Sequence, residues 1–229
     1  MKTVRSRHSP VSQARLGAMA IRSRPSSVET KQRIIEATVE TLNREGMMGT
    51  TARAIARAGG FNQALIYYHF ESLEGLFFRV VEDVNRRRLA YFGPRLEQVS
   101  NLAELIDVAL ELQSGVPEPA DNSAVALLVA GWSPDSEMGP KVLDSLRPWD
   151  DAVADAVRRI TAGSSLAEMF PVDELSHAIS ALFLGLQLLS RLDRDDPTNE
   201  NVYRALTQSA EMATNLLAAF PAPPPKPKQ

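Results

Sequence analysis

The sequence predicts an all-α protein with an N-terminal three-helix helix-turn-helix domain and a larger C-terminal helical domain. Apolar residues recur at helical spacing through most of the chain. Clusters of Pro and Gly separate the helical segments, and no convincing run of alternating β-branched residues occurs between them. A length of 229 residues with 44% apolar content is enough for a small domain fused to a larger one.

The charge of the chain is distributed unevenly around a net value of −3. Residues 1–90 hold 15 Lys and Arg against 8 Asp and Glu, whereas residues 91–229 hold 10 against 20. Lys and Arg bind DNA partly by releasing the counterions that its phosphates hold. The basic first third is therefore predicted to be the part that contacts nucleic acid, the alternative being chance clustering beside a basic tail.

Composition excludes several classes of function. The absence of Cys excludes disulfides, thiol catalysis and Cys-ligated zinc. No phosphate-binding glycine loop or nucleophile–base constellation is traceable, so we expect neither an enzyme nor a resident cofactor or metal. The longest apolar run, residues 178–189, falls short of the roughly 20 residues that a membrane helix needs. No apolar signal segment follows the basic N-terminus, so the expected location is the cytoplasm, without a membrane partner.

Composition and helical periodicity divide the chain into four segments. Residues 1–27 contain six Lys and Arg and no acid, and are interpreted as a disordered basic arm. Residues 28–72 form the helix-turn-helix domain, and residues 73–220 form the second helical domain. Residues 221–229 are a Pro-rich, extended tail. In the second domain, helices are predicted from Ser72 to near Gly93-Pro94 and at about 95–113, 122–132, 138–161, 172–192 and 199–219.

The most informative stretch of the chain is residues 51–70, TARAIARAGGFNQALIYYHF. Thr51 and Asn62 are predicted to cap two short helices, and Gly60 to supply the positive φ of the turn between them. Ile66 and Phe70, four residues apart, are expected to face the core. The outer face then carries Gln63, Ala64, Leu65, Tyr67 and His69. Small and amide side chains at the start of a helix suit base edges in the major groove.

This stretch resembles the tetracycline-repressor (TetR) family of transcriptional regulators. The resemblance covers about residues 30–80 and rests on Gly46, Thr51, Arg53, Ile55-Ala56, Gly60, Ile66, the run Tyr67-Tyr68-His69-Phe70, Ser72 and Glu74. It implies a homodimer that reads a palindromic double-stranded DNA operator and that loses DNA affinity when a small molecule binds its C-terminal domain. The DNA-binding residues that it implies are Thr51, Arg53, Asn62, Gln63, Ala64, Leu65, Tyr67, Tyr68, His69 and Ser72.

Several positions depart from the family pattern. Gly59 stands where alanine is usual, and Phe61 where valine is usual. Leu65 replaces a threonine, which favours contact with a thymine methyl group. Leu73 replaces a lysine that normally anchors a phosphate, so we expect weaker backbone binding, which the basic arm could offset.

Two further sets of residues are predicted in the C-terminal domain. The apolar faces of residues 172–192 and 199–219 are expected to form a four-helix dimer interface, the alternative being that both face only their own core. The interface residues expected there are Leu175, Ile179, Leu182, Leu186, Leu206, Ala210, Ala213 and Leu217. Large and adaptable side chains predict a pocket for an apolar or aromatic effector. Its lining would be Phe92, Leu112, Leu128, Trp132, Met138, Trp149 and Phe183.

Other interpretations of single features remain open. His177 lies on an apolar helix and is interpreted as a core or interface residue that could also hydrogen-bond a ligand. The run Arg86-Arg87-Arg88 is interpreted as a solvated face that could add positive charge near DNA. For the whole chain, the alternatives are a helical small-molecule-binding protein that does not bind DNA and a non-specific architectural DNA-binding protein.

Overall fold

The computed structural model describes residues 26–114, 122–132, 136–165, 167–169, 171–192 and 198–221. The predicted basic arm, apart from Ser26 and Ser27, and the tail beyond Pro221 lie outside the described residues. Within them the fold is all-α, as predicted, with nine α-helices and no strand. The helices are α1 (Ser27–Gly49), α2 (Ala52–Gly59), α3 (Ala64–Phe70), α4 (Leu73–Leu96), α5 (Leu102–Ser114), α6 (Asn122–Gly131), α7 (Met138–Thr161), α8 (Val172–Leu189) and α9 (Thr198–Ala219).

The start of α1 is fixed by a capping box. The Ser26 hydroxyl accepts from the Glu29 amide at 3.1 Å, and the Glu29 carboxylate accepts from the Ser26 amide at 2.6 Å. This cap orders Ser26 and Ser27, which the sequence assigns to the basic arm, as the start of the helix. Near the other end, Gly46 has a φ of 68° and breaks the helical conformation where the glycine predicts a stop.

Helix α4 is longer than predicted and α5 begins later. Helix α4 ends at Leu96, two residues beyond the predicted stop near Gly93-Pro94, and α5 starts only at Leu102 rather than at about residue 95. Proline removes one backbone donor from the helix. Leu96, in contrast, is buried in the core formed by α4, α5, α7 and α8, so tertiary burial outweighs the local signal.

Two hydrophobic clusters form the core. The first cluster joins α1, α2 and α3 to the first half of α4, to α6 and to Val142 of α7. The second cluster contains the end of α4 with α5, α7 and α8. The predicted boundary between residues 72 and 73 is therefore not a boundary between cores, because α4 and α6 complete the core of the helix-turn-helix. A displacement of α4 or α6 must reach α1 and α3 through this shared packing.

The helices of the C-terminal region pack in pairs, α4 with α7, α7 with α8, and α5 with α9. Helix α8 also satisfies the length and hydropathy criteria for a membrane span, with a mean hydropathy of 1.2 over 18 residues. This criterion is weak, since core helices also satisfy it. Only 22% of α8 is buried within the chain, so much of its apolar surface is uncovered in one subunit.

Candidate nucleic-acid interface

The turn between α2 and α3 is built from the caps that the sequence predicts. The Thr51 hydroxyl accepts from the Ala54 amide at 3.2 Å at the start of α2. Gly60 ends α2 with a φ of 64°, which glycine adopts without strain. The Asn62 carboxamide oxygen then accepts from the Ala64 amide at 2.9 Å and orders the first turn of α3. The two hydrogen bonds and the backbone conformation of Gly60 together fix the direction in which α3 leaves the turn.

Helix α3 has one buried face and one exposed face. Ile66 is inaccessible to solvent and Phe70 is buried, which confirms that this face is sealed into the core. On the opposite face, Gln63 and Ala64 are exposed. Tyr67 and Tyr68 are 50% and 79% exposed, far above the exposure of core aromatic residues. The outer edge of α3 is thus free to approach a ligand as large as a DNA duplex.

Two predicted base- or backbone-contacting residues are only partly accessible. Leu65 is half-buried against the first cluster, so only part of its side chain is available to a thymine methyl group. His69 is half-buried, with its ring edge-on to Tyr68 at 4.8 Å between centroids. Leu73, which replaces the expected phosphate-binding lysine, also packs on the first cluster. Part of the surface of each of these side chains therefore packs within the protein and is not available to DNA.

Basic and capping residues flank the outer face of α3. Arg53, in the first turn of α2, is exposed and has no ion-pair partner among the described residues. Thr51 and Ser72 are exposed, and the Ser72 hydroxyl accepts from the Gly75 amide at 2.9 Å at the start of α4. The caps of α2 and α4 therefore flank α3 along the chain.

A polar contact that the sequence did not predict links the start of α4 to α6 and α7. The Glu74 carboxylate accepts from the Trp132 indole Nε1 at 3.1 Å and from the Ser136 hydroxyl. These two donors, the Ser136 hydroxyl first, lower the pKa of Glu74 below its ordinary value. Glu74 lies four residues after Phe70, the last residue of α3, so the contact joins the end of α6 and the segment before α7 to the first turn after α3.

The arginine run of α4 is only partly the solvated face that the sequence suggests, because Arg86 is exposed, Arg87 is half-buried and Arg88 is buried. Asp83 is buried and accepts from Arg86 and, at 2.7 Å, from Arg87. The spacing of three and four residues is the signal from which this cluster could have been predicted. Arg88 is 3% exposed and stacks on Trp149, 4.3 Å from the ring centroid. Burial lowers the pKa of the Arg88 guanidinium to about 10, although the nearby Asp150 opposes the shift.

The seven predicted effector residues separate into two groups. Phe92, Leu112, Trp149 and Phe183 come together in the second cluster, with Phe92 and Trp149 edge-on at 6.5 Å. Leu128 and Trp132 belong to the first cluster or pack on it, and Met138 is half-buried at the start of α7. Three members of the first group, Leu112, Trp149 and Phe183, line a cavity of only about 40 Å³.

The predicted interface residues differ in exposure. Leu175 and Leu182 are exposed on α8, while Ile179, Leu206 and Ala213 are half-buried. Leu186, Ala210 and Leu217 are buried within the subunit. His177 is exposed rather than in the core, with its Nδ1 3.1 Å from the Asp150 carboxylate. No group of three or more His, Asp and Glu suited to a metal ion occurs in the part of the chain that the structure describes.

Comparison with known proteins connects this geometry to DNA-binding regulators. Residues 34–80 match the model of the family described as bacterial regulatory proteins, tetR family. An uncharacterized HTH-type transcriptional regulator of Mycobacterium tuberculosis is 21% identical over 145 residues, which cover 63% of this chain and 74% of that protein.

Two solved structures share the fold. A protein of Saccharomonospora viridis in complex with choline has a TM-score of 0.62 and 22% identity, over 80% of this chain and 96% of that one. The transcriptional regulator FadR of Bacillus subtilis in complex with stearoyl-CoA has a TM-score of 0.61 and 11% identity, over 77% and 95% of the two chains. At these identities the likeness concerns the fold.

Proposed function

We propose that the chain, whose residues 34–80 match the tetR family model, is a cytoplasmic, ligand-responsive regulator of the TetR family, a repressor that binds a palindromic operator as a homodimer. The observation that carries the proposal is the two-sided α3, with Ile66 sealed in the core and Gln63 and Tyr67 exposed. A helix whose buried face is packed against the core can present its exposed face to base pairs.

The residues at the front edge of α3 have separate roles in this proposal. Gln63 and Ala64, at the start of the helix, read base edges, because an amide can pair with adenine and a small side chain permits close approach. Tyr67, Tyr68 and Arg53 contact phosphates, which position the protein without reading sequence. Leu65 contributes the exposed part of its side chain to a thymine methyl group.

The proposed dimer interface consists of the uncovered apolar faces of α8 and α9. A line of exposed apolar positions on α8 recurs every three or four residues, and α9 also has exposed apolar positions. On α8 they are Leu175, Ala178, Leu182, Gly185 and Leu189, and on α9 they are Ala205, Met212, Leu216 and Ala219. A side chain at Gly185 would meet nothing within 4 Å in one subunit, which leaves room for a partner helix. This spacing suits a four-helix bundle between two subunits.

Effector binding is proposed to act on α3 through α4. The Glu74 contacts with Trp132 and Ser136 connect the first turn of α4 to the end of α6 and the segment before α7. A ligand that displaces α6 or α7 would break or shift these contacts and tilt α4, together with the recognition helix that precedes it. Only a ligand with different affinities for the two arrangements can produce this change.

Operator selection from random DNA with the purified chain tests the DNA-binding proposal. We expect a palindromic consensus, and we expect Gln63→Ala to relax preference at one symmetric pair of positions, with a cost of about 1–3 kcal/mol for the preferred base. Gln98→Ala, at an exposed glutamine after α4, is the matched control and should leave the consensus unaltered. Failure to select any sequence would instead favour a helical small-molecule-binding protein.

Light scattering tests the interface separately from DNA binding. Leu182 of α8 is 44% exposed and Leu143 of α7 is 56% exposed, so replacing either with glutamate leaves the subunit core intact. We expect Leu182→Glu to give a monomer, because two carboxylates would be buried at a symmetric interface, and Leu143→Glu to remain a dimer. Dimers from both variants would contradict the α8–α9 interface.

A further inference from the structure

A wide groove, here called the junction groove, lies between the helix-turn-helix and the helices α4 and α7. It is a groove of about 750 Å³ whose walls come from α1, α3, α4 and α7, including Lys31, Phe70, Asn85 and Trp149. Ligand sites usually enclose roughly 300–1,000 Å³. The cavity among the predicted effector residues, at about 40 Å³, has room only for a water molecule or two. Space for an organic ligand is therefore found at the junction groove.

A buried polar atom in the wall of the groove has no partner. Asn85 is 7% exposed, and its Nδ2 donates to the Ser145 carbonyl at 3.3 Å and to the Ser145 hydroxyl at 3.4 Å. Its Oδ1 accepts no hydrogen bond from the described residues. Buried acceptors are nearly always paired, because leaving one unpaired costs free energy. A hydrogen-bond donor on an occupant of the groove would satisfy this oxygen.

The charge of the groove favours an anion. Two of its arginines are paired with carboxylates in the same wall, Arg79 with Glu82 and Arg86 with Asp83. Lys31 of α1 has no ion-pair partner among the described residues and leaves the wall with an excess positive charge. A carboxylate or sulfonate near Lys31 would balance this charge.

The remaining wall is apolar and includes an aromatic surface. Ile35, Leu89 and Pro148 line it together with Trp149. Trp149 is 7% exposed, and its orientation is supported by the Arg88 guanidinium stacked on the ring. A flat apolar body would bury its surface against these side chains, as aromatic groups do in offset or edge-on contacts.

We propose that the junction groove is a binding site for an amphipathic organic anion, with an aromatic or other apolar body, an acidic group placed near Lys31, and a hydrogen-bond donor directed to Asn85. Such an occupant touches α1 and α3 on one side and α4 and α7 on the other. It therefore binds best to one relative arrangement of the recognition helix and the effector region.

The test uses 8-anilinonaphthalene-1-sulfonate, a fluorescent dye that carries an acidic group, two aromatic units and one N–H donor. The dye is titrated into the full chain without DNA, so its result is independent of the proposed operator binding. We expect saturable binding of one dye per chain. Lys31→Glu should weaken it about tenfold, because it reverses the charge beside the sulfonate. Ser145→Trp should remove it by filling the groove.

Lys141→Glu is the matched control, since Lys141 is an exposed lysine of α7 that does not line the groove. Its dye affinity should equal that of the parent chain. Thermal melting identifies a variant that fails to fold. If Ser145→Trp fails to fold, the comparison of Lys31→Glu with the control still decides the test, because Lys31 is a surface residue. The proposal is overturned if the parent chain shows no saturable binding, or if all four proteins bind the dye with equal affinity. It is also overturned if both lysine variants lose affinity equally.

Discussion

Two departures from the family pattern, Gly59 and Phe61, form one coupled feature of the helix-turn-helix. A Cβ atom placed on Gly59 would lie 2.2 Å from Cε1 and 2.7 Å from Cδ1 of the Phe61 ring, and 2.9 Å from Cβ of Ala37. The ring of Phe61 packs on the first cluster, where it cannot move without losing contacts. The large side chain at 61 therefore requires the absence of a side chain at 59.

A double-mutant cycle measures this coupling. Gly59→Ala alone adds a clash of about 1–3 kcal/mol, offset by about 1 kcal/mol of improved helix propensity at the end of α2. Phe61→Val alone loses about 1 kcal/mol of apolar burial, since Phe61 is only half-buried. In the double variant the clash with the ring is gone, the propensity gain remains, and only the 2.9 Å approach to Cβ of Ala37 is left to relax. Its stability should return close to that of the parent chain, with a coupling free energy of about 1–3 kcal/mol.

Urea unfolding of the four proteins, all at one protein concentration, gives the cycle. A common concentration is needed because the stability of the proposed dimer would depend on it. The midpoint and slope should be fitted together, so that a change in the denatured state is not mistaken for a change in packing. If the two single changes add to the double change within about 0.5 kcal/mol, the contact between positions 59 and 61 is not the reason for the glycine.

Three further outcomes are expected. Hydrogen bonding lowers the pKa of Glu74, so the stability that Glu74 contributes is present above its unfolded-state pKa and is lost as the pH falls through its folded-state pKa. The NMR resonance of the Trp132 indole N–H should therefore titrate with a midpoint below 4.5. A midpoint above that value would contradict the contact. Thr51→Ala should reduce the free energy of unfolding by about 0.5–2 kcal/mol, whereas Thr51→Ser keeps the capping oxygen and most of the stability. Arg88→Met should leave the free energy of unfolding unchanged or raise it by up to about 2 kcal/mol, because it removes a buried charge whose Nε donates to no partner among the described residues. A clear loss of stability in the same urea measurement would show that the stacking on Trp149 outweighs the cost of burying the charge.

The helix-turn-helix was predictable because its signals act over short distances. The cap at Thr51, the turn at Gly60 and the cap at Ser72 each involve atoms within four residues, and each has the partner or backbone angle that its residue type predicts. The exposed and buried faces of α3 follow from the helical period alone. Leu65 was less predictable, because its partial burial depends on how closely α3 approaches the first cluster.

The effector region was predictable in its helices but not in its cavities. Apolar periodicity identifies residues such as Phe92 and Phe183 as buried, and they are. Periodicity does not determine whether buried side chains meet each other or surround a space. The junction groove depends on the distance between α1, α4 and α7, and its polar lining includes Asn85 and Lys31. Contacts between residues 50 or more positions apart, such as Asn85 with Ser145, leave no local pattern in the sequence.

The α8 helix shows why an apolar stripe cannot by itself identify an interface. Its apolar residues cover more than one face, so the sequence assigns Leu182 and Leu186 to the same stripe. In the folded subunit Leu182 is exposed, whereas Leu186 is buried because α8 packs on α6 and α7. The face that remains uncovered also contains Gly185, which allows the closest approach of another helix. The proposed dimer therefore depends on those apolar residues of α8 that remain exposed after the helix has packed within its own subunit.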